Sequence, residues 1–100
     1  MKLRQLAHTR TGDKGNRSTL TVIAYDAKDF ARLETQLTAE RVRTHYHGIV
    51  LGRVERFALP QLGALQFVLY EALAGGVTRS LALDAHGKTL SSHLLNIDIQ

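Results

Sequence analysis

Cysteine is missing from all 100 residues of this chain. Its absence excludes disulfides, thiolate metal sites and iron–sulfur clusters, and it fits a reducing compartment. Proline occurs once, at Pro60. Aromatic residues are few: Tyr25, Phe30, Tyr46, Phe57, Phe67 and Tyr70. Most of them fall on predicted helices and no RNP-like string occurs, so the stacked aromatics that an RNA-recognition sheet needs are not expected, and neither is a nucleic-acid partner. No apolar run reaches the ~20 residues of a membrane span; the longest, Leu62 to Val77, is interrupted by Gln66 and Glu71. The opening Met1-Lys2-Leu3-Arg4-Gln5-Leu6 leads into His8, Arg10 and Asp13 rather than into an apolar core. It does not read as a signal sequence, and a cytoplasmic protein with no membrane partner is expected.

What is present describes one globular domain over residues 1–100, with 44% hydrophobic and 22% charged residues, enough for a single core. Thirteen Lys and Arg outnumber nine Asp and Glu, but they are spread from Lys2 to Lys88 with no run of three. Such a surface raises the local concentration of small anions, phosphates and carboxylates alike.

The most distinctive stretch is Arg10-Thr11-Gly12-Asp13-Lys14-Gly15-Asn16-Arg17-Ser18, where two glycines bracket an Asp-Lys pair just before an apolar run. Read as a loop, it lets Gly12 and Gly15 take positive φ so that backbone N–H groups converge, while Lys14 and Arg10 add positive charge. An anion is the natural guest. The alternative is a surface turn with solvated charges, since Gly-Asp-Lys-Gly strings are common turn chemistry.

Lys2 to Thr9 and the β-branched Ser18 to Tyr25 read as two strands joined by that loop. Asp26 is an N-cap for a helix with Phe30, Leu33 and Leu37 on one face, and Thr38 caps a second through Glu40, Val42 and Tyr46. Ile49 to Leu59 reads as a third strand stopped by Pro60. Pro60 then suits the first turn of a helix over 61–74, with Leu62, Leu65, Leu69, Ala72 and Leu73 as its stripe. Gly75-Gly76 ends that helix, Val77 to Asp84 starts a fourth strand, and Lys88 to Leu90 begins a return strand that ends in alternating Leu95, Ile97 and Ile99. The order ββαβαββ predicts an α+β sandwich: a mainly antiparallel sheet of four to five strands with two to three helices on one face. The other face is left for dimerisation or docking.

Three segments, Ala7 to Asn16 with its GDKGN string, Leu59 to Phe67, and Gly75 to Leu81 with GGVTRSL, together resemble the ferredoxin-like C-terminal domain of AtuA proteins, the acyclic terpene utilisation family. The likeness runs in order over nearly the whole chain. It implies a ferredoxin-like fold, a topology and not an iron–sulfur site. In that family the domain usually follows a much larger one associated with breakdown of branched acyl-CoA compounds. For this chain the resemblance implies an accessory or small subunit that docks on an AtuA-like large partner, or an independent module that assembles with itself. The chain carries Thr21 where the family often has glycine and Arg17 where a small or acidic residue is common, both beside the loop.

The ligand-binding candidates are Arg10, Gly12, Asp13, Lys14, Gly15, Asn16 and Arg79, with His8 and Thr78 as secondary ones. If the loop and Gly75 to Arg79 share a sheet end, Arg10, Lys14 and Arg79 clamp an anion, an acyl-CoA or a simpler one, and Asp13 orients the cations. His45-Tyr46-His47, with His8, His86 and His93, lacks a carboxylate or thiolate at ligand spacing, so no metal is expected. Serines 18, 80, 91 and 92 lack a G-x-S-x-G elbow, and the glycines fit neither a Walker A nor a dinucleotide pattern. No cofactor is implied, and the chain is not expected to be catalytic alone. Gly63, inside the predicted helix, is read as a close-packing position, so that changes at Gly63 or Phe67 would disturb assembly.

Overall fold

In a computed structural model the described residues are 1–14, 17–47, 50, 52–70 and 94–100. Among them four strands form one antiparallel sheet: β1 (Ala7–Lys14), β2 (Arg17–Ala24), β3 (Val54–Leu59) and β4 (Ala64–Tyr70), in the order β1-β2-β4-β3. Two helices, α1 (Phe30–Gln36) and α2 (Ala39–His45), lie between β2 and β3 in sequence. Both β2 and β3 run antiparallel to β4, so they are parallel to each other with β4 inserted between them. That is a split β-α-β unit, flanked by the β1–β2 hairpin.

The helix starts are local and follow from their caps. Asp26 accepts from the Lys28 N–H at 3.0 Å and opens a 3-10 turn at Ala27–Asp29 that runs into α1. Thr38 Oγ1 accepts from the Arg41 N–H at 3.0 Å, satisfying one of the unpaired donors at the start of α2. Phe30, Leu33 and Leu37 are buried, as their spacing predicts.

The predicted helix over 61–74 is overturned. Pro60–Leu62 is a single 3-10 turn, Gly63 ends it at φ 61°, and Ala64–Tyr70 is the inner strand β4. Its apolar residues fit both periods: Leu62, Leu65 and Leu69 match a helix, while Leu65, Phe67 and Leu69 alternate. The alternating set is the one buried, facing Leu20 and Val22 of β2. Hydrogen bonding to strands on both sides outweighs the helical propensity of Ala, Leu and Gln here. Phe67 is therefore a core residue, and Gly63 meets a conformational demand: a Cβ there would meet nothing within 4 Å.

Two further boundaries move. Residues Leu3–Gln5 form a 3-10 turn rather than part of the first strand, and β3 begins at Val54 rather than near residue 49. The expected helix end at Gly75-Gly76, the strand from Val77, the turn at His86-Gly87 and the start of the return strand lie outside the described residues. The expected strand end at Leu95 to Ile99 is not a strand: a turn at residues 95–96 leads to an isolated bridge between Asp98 and Lys2, because the segment packs on the chain start and the helices and not along the sheet. Leu94, Ile97 and Ile99 are buried and Leu95 packs against the core from a partly buried position. Ile99 exchanges two hydrogen bonds with Met1, at 2.8 and 3.0 Å.

One core joins Leu20, Val22, Leu65, Phe67 and Leu69 of the sheet to Phe30, Leu33, Leu37, Val42 and Tyr46 of the helical segment. Each large apolar side chain so buried contributes on the order of 1.5–3 kcal/mol. Both helices thus cover one face of the sheet. The opposite face presents the alternate residues, among them exposed Arg10, Gly12, Arg17 and Phe57.

Candidate functional site

The register determines what stands together on that open face. Across the strands, Gly12 of β1, Thr19 of β2, Val68 of β4 and Glu55 of β3 form one row. On one side of it lies the row of Arg17 and Tyr70; on the other lies the row of Arg10, Thr21, Gln66 and Phe57. Gly12, Thr19 and Val68 stand lower than Arg17 and Tyr70 on one side and Phe57 on the other, which makes a slot. Gly12, Arg17, Thr19, Glu55, Phe57, Val68 and Tyr70 line a shallow groove of about 420 Å³.

One end of the groove is tightly organised. The Tyr70 hydroxyl donates to Glu55 Oε1 at 2.8 Å, and the Arg53 guanidinium lies 4.0 Å from the centre of the Tyr70 ring. Arg53 Nε also sits 3.6 Å from Glu55 Oε2. The Arg17 guanidinium approaches the same ring at 5.9 Å. A cation over an aromatic face is held by the ring quadrupole. Arg53 is paired with Glu55, whereas Arg10 and Arg17 form no ion pair among the described residues. The Arg17 end of the groove is thus cationic and the β3 side carries the Arg53–Glu55 pair.

Arg53 reaches this position through Gly52. The Gly52 N–H donates to the Tyr70 carbonyl at 2.9 Å and the Tyr70 N–H to the Arg53 carbonyl at 3.0 Å, so two residues face one, as in a β-bulge. A Cβ on Gly52 would lie 2.6 Å from the Tyr70 carbonyl oxygen. Only glycine allows that approach.

The GDKGN segment is not the loop its composition suggests. Gly12, Asp13 and Lys14 are strand residues paired with Thr19, Ser18 and Arg17, which leaves only residues 15 and 16 between β1 and β2. Gly12 does not take positive φ, and a Cβ on it would meet nothing within 4 Å. Its carbonyl accepts from the buried Ser18 hydroxyl at 3.2 Å. The side chains of Asp13 and Lys14, and all of Gly15, Asn16, Thr78 and Arg79, lie outside the described residues. Of the expected set, the structure places Gly12 in the groove and Arg10 in the neighbouring row. His8 stands four residues from Gly12 along β1, roughly 13 Å away by strand rise, and stacks on Tyr25 with ring centres 5.5 Å apart.

Among the described residues no group of three or more His, Cys, Asp or Glu could hold a metal ion. His45 lies edge-on to the buried Tyr46 ring. No helix among the described residues is long and apolar enough to cross a membrane. The aromatic residues are not mostly helical: Phe57, Phe67 and Tyr70 are on strands. Phe67 is buried and Tyr70 is engaged by Glu55 and Arg53, which leaves Phe57 as the exposed strand aromatic.

The family model of the AtuA ferredoxin-like domain matches residues 1–100. The chain belongs to this family. No curated protein and no solved structure matches it. The sheet with helices on one face is the ferredoxin-like α+β architecture of the family's name. In this AtuA ferredoxin-like domain, Gly12 to Lys14 of GDKGN supply the end of β1, and Leu59 to Phe67 supplies the β3–β4 turn and the start of β4. The groove residues that composition does not single out as ligand-binding are Arg17, Thr19, Glu55, Phe57, Val68 and Tyr70, with Gly52 and Arg53 supporting Tyr70 from beside the groove. Reading Val54–Leu59 and Ala64–Tyr70 as alternating partners would have put Glu55, Phe57, Val68 and Tyr70 on one face.

Proposed function

We propose that this AtuA ferredoxin-like domain is a ligand-holding unit that does no chemistry alone and binds the anionic part of a small molecule in the open-face groove. It serves as the small subunit or accessory domain of an AtuA-like protein that handles acyl-CoA compounds. The observation that carries this reading is Gly12. A glycine inside a strand costs roughly 0.5–1 kcal/mol and often marks close approach of a ligand. Neither its φ nor its packing requires glycine, yet it opens the groove floor near Arg17. Glu55 already accepts from Tyr70 and pairs with Arg53, which suits positioning better than proton transfer.

Gly12→Val tests this directly. It should leave the fold intact or stabilise it by about 0.5–1 kcal/mol, because a β-branched residue suits a strand better than glycine. It should also weaken binding of coenzyme A or pyrophosphate at least tenfold, measured by titration calorimetry. Unchanged affinity in a well-folded Gly12→Val protein would remove the groove as the site.

A second reading is assembly with a copy of itself. It draws on the exposed Phe57 and Tyr25 side chains, 48% and 65% accessible. Sedimentation of the wild type against Phe57→Ser decides it: a dimer lost in the variant supports assembly, and a wild-type monomer ends that reading.

A further inference from the structure

We propose that the groove takes a nucleoside phosphate, with its phosphates at Arg17 and its base against Phe57; this rests on the anion-binding reading above. The groove is polarised. At one end Arg17 is without an ion-pair partner among the described residues, and the Thr19 hydroxyl lines the same groove. Towards β3, Glu55 and Phe57 are alternate residues of one strand and therefore stand on one face, the carboxylate beside an exposed aromatic ring. Val68 of the neighbouring strand adds apolar surface between the two ends.

Each feature narrows the ligand. Arg17 calls for an anion, and a guanidinium matches a phosphate with paired N–H donors. Glu55, already paired with Arg53 and accepting from Tyr70, offers its remaining acceptor lone pairs to amino or hydroxyl donors. Phe57 and Val68 offer contact to a flat ring. A bare inorganic anion leaves Phe57 and Glu55 unused. A fatty carboxylate would set an apolar chain against the remaining acceptor sites of Glu55, which would then lose water without a donor in return. A nucleoside phosphate meets all of these demands at once. Arg17 and Phe57 are two strand spacings and four residues apart, roughly 16 Å between Cα positions. The reach of the arginine side chain leaves a gap that a nucleoside diphosphate spans, and a groove of about 420 Å³ is in the size range of ligand pockets.

The test is calorimetric titration of ADP, pyrophosphate and adenosine into the wild type, Phe57→Ala and Arg17→Ala. ADP should bind about tenfold or more tighter than pyrophosphate, from the stacking contact. Phe57→Ala should erase that margin while leaving pyrophosphate affinity unchanged, and Arg17→Ala should weaken both. Equal affinity of the wild type for ADP and pyrophosphate, or a margin that survives in Phe57→Ala, overturns the nucleoside assignment and leaves the anion site standing. Failure of ADP and pyrophosphate alike to bind overturns the anion reading with it.

Discussion

Glycines make different demands at the residue scale, and the differences are testable. Gly63 sits at φ 61°, ψ 37° and donates to the Pro60 carbonyl at 3.1 Å, while its own carbonyl accepts from Ala24 at 2.9 Å. A side chain would find free space there but an unfavourable backbone. Gly63→Ala should cost about 1–2 kcal/mol in urea denaturation, and Gly63→Asn clearly less, because asparagine tolerates the left-handed region. Equal costs for the two would mean that φ is not the constraint. Gly52 is the opposite case, with an ordinary backbone and no room. Gly52→Ala must push the backbone of residue 52 away from Tyr70, so it should lower the urea midpoint by the equivalent of about 1–3 kcal/mol, as overpacking does. It should also lower affinity for the groove's ligand, because Arg53 and Tyr70 are held by that same pair of hydrogen bonds. Local composition makes Gly63 a packing glycine and gives no sign of Gly52, since neither φ nor a neighbour across the sheet is written in it.

At the scale of the element, β3 locks α1 through one arginine. Arg56 points to the core-facing side of its strand, as its pairing with Phe67 requires, and its Nη1 donates to the carbonyls of Glu34 at 2.7 Å and Leu37 at 3.0 Å. Those carbonyls belong to the last turn of α1 and its C-cap, where a cation satisfies unpaired acceptors and complements the helix dipole. Arg56→Ala should cost about 1.5–3 kcal/mol, the range for hydrogen bonds to a charged group. Arg56→Lys should recover only part of that, because an ammonium lacks the planar fork of the guanidinium. A loss under 0.5 kcal/mol in Arg56→Ala would show that water replaces the bonds. The caps at Asp26 and Thr38 were readable because donor and acceptor are two or three residues apart. β4 was not, because its residues satisfy two periods and its neighbours are more than 30 residues away in sequence on the β2 side.

For the whole molecule, the two terminal segments and the helices close over one core that includes the fully buried Tyr46. Side chains of the helices hold the C-terminal segment: Arg32 and Gln36 donate to the Gln100 carbonyl at 2.8 and 3.1 Å, and Arg41 donates to the Asp98 carbonyl. Burial pushes the Tyr46 phenol well above its ordinary value, and a hydrogen bond to the backbone of Leu94 pulls it part of the way back. Folding therefore disfavours ionised Tyr46. Above about pH 10 the unfolded chain sheds this proton while the folded one keeps it, so stability falls as pH rises, by up to about 1.4 kcal/mol per pH unit. Below that pH the contribution is constant. Tyr46→Phe should be less stable than wild type near pH 7 by about 1 kcal/mol, through loss of the Leu94 bond. The gap should narrow between roughly pH 10 and 11, because phenylalanine has no proton to shed. A gap that stays constant over that range would show Tyr46 titrating normally.

The sequence by itself determined the α+β class, the two capped helices, the succession of the first two strands and the membership that GDKGN and its companion segments suggested. All of these rest on contacts between near neighbours or on strings that travel together. Tertiary structure alone decided that Ala64–Tyr70 is a strand, that Gly12 is a floor rather than a turn, and that Arg17, Arg53, Glu55 and Tyr70 meet at one groove. Those outcomes depend on strand register, which places residues from four distant segments side by side, and a one-residue slip in any pair would turn each side chain to the other face.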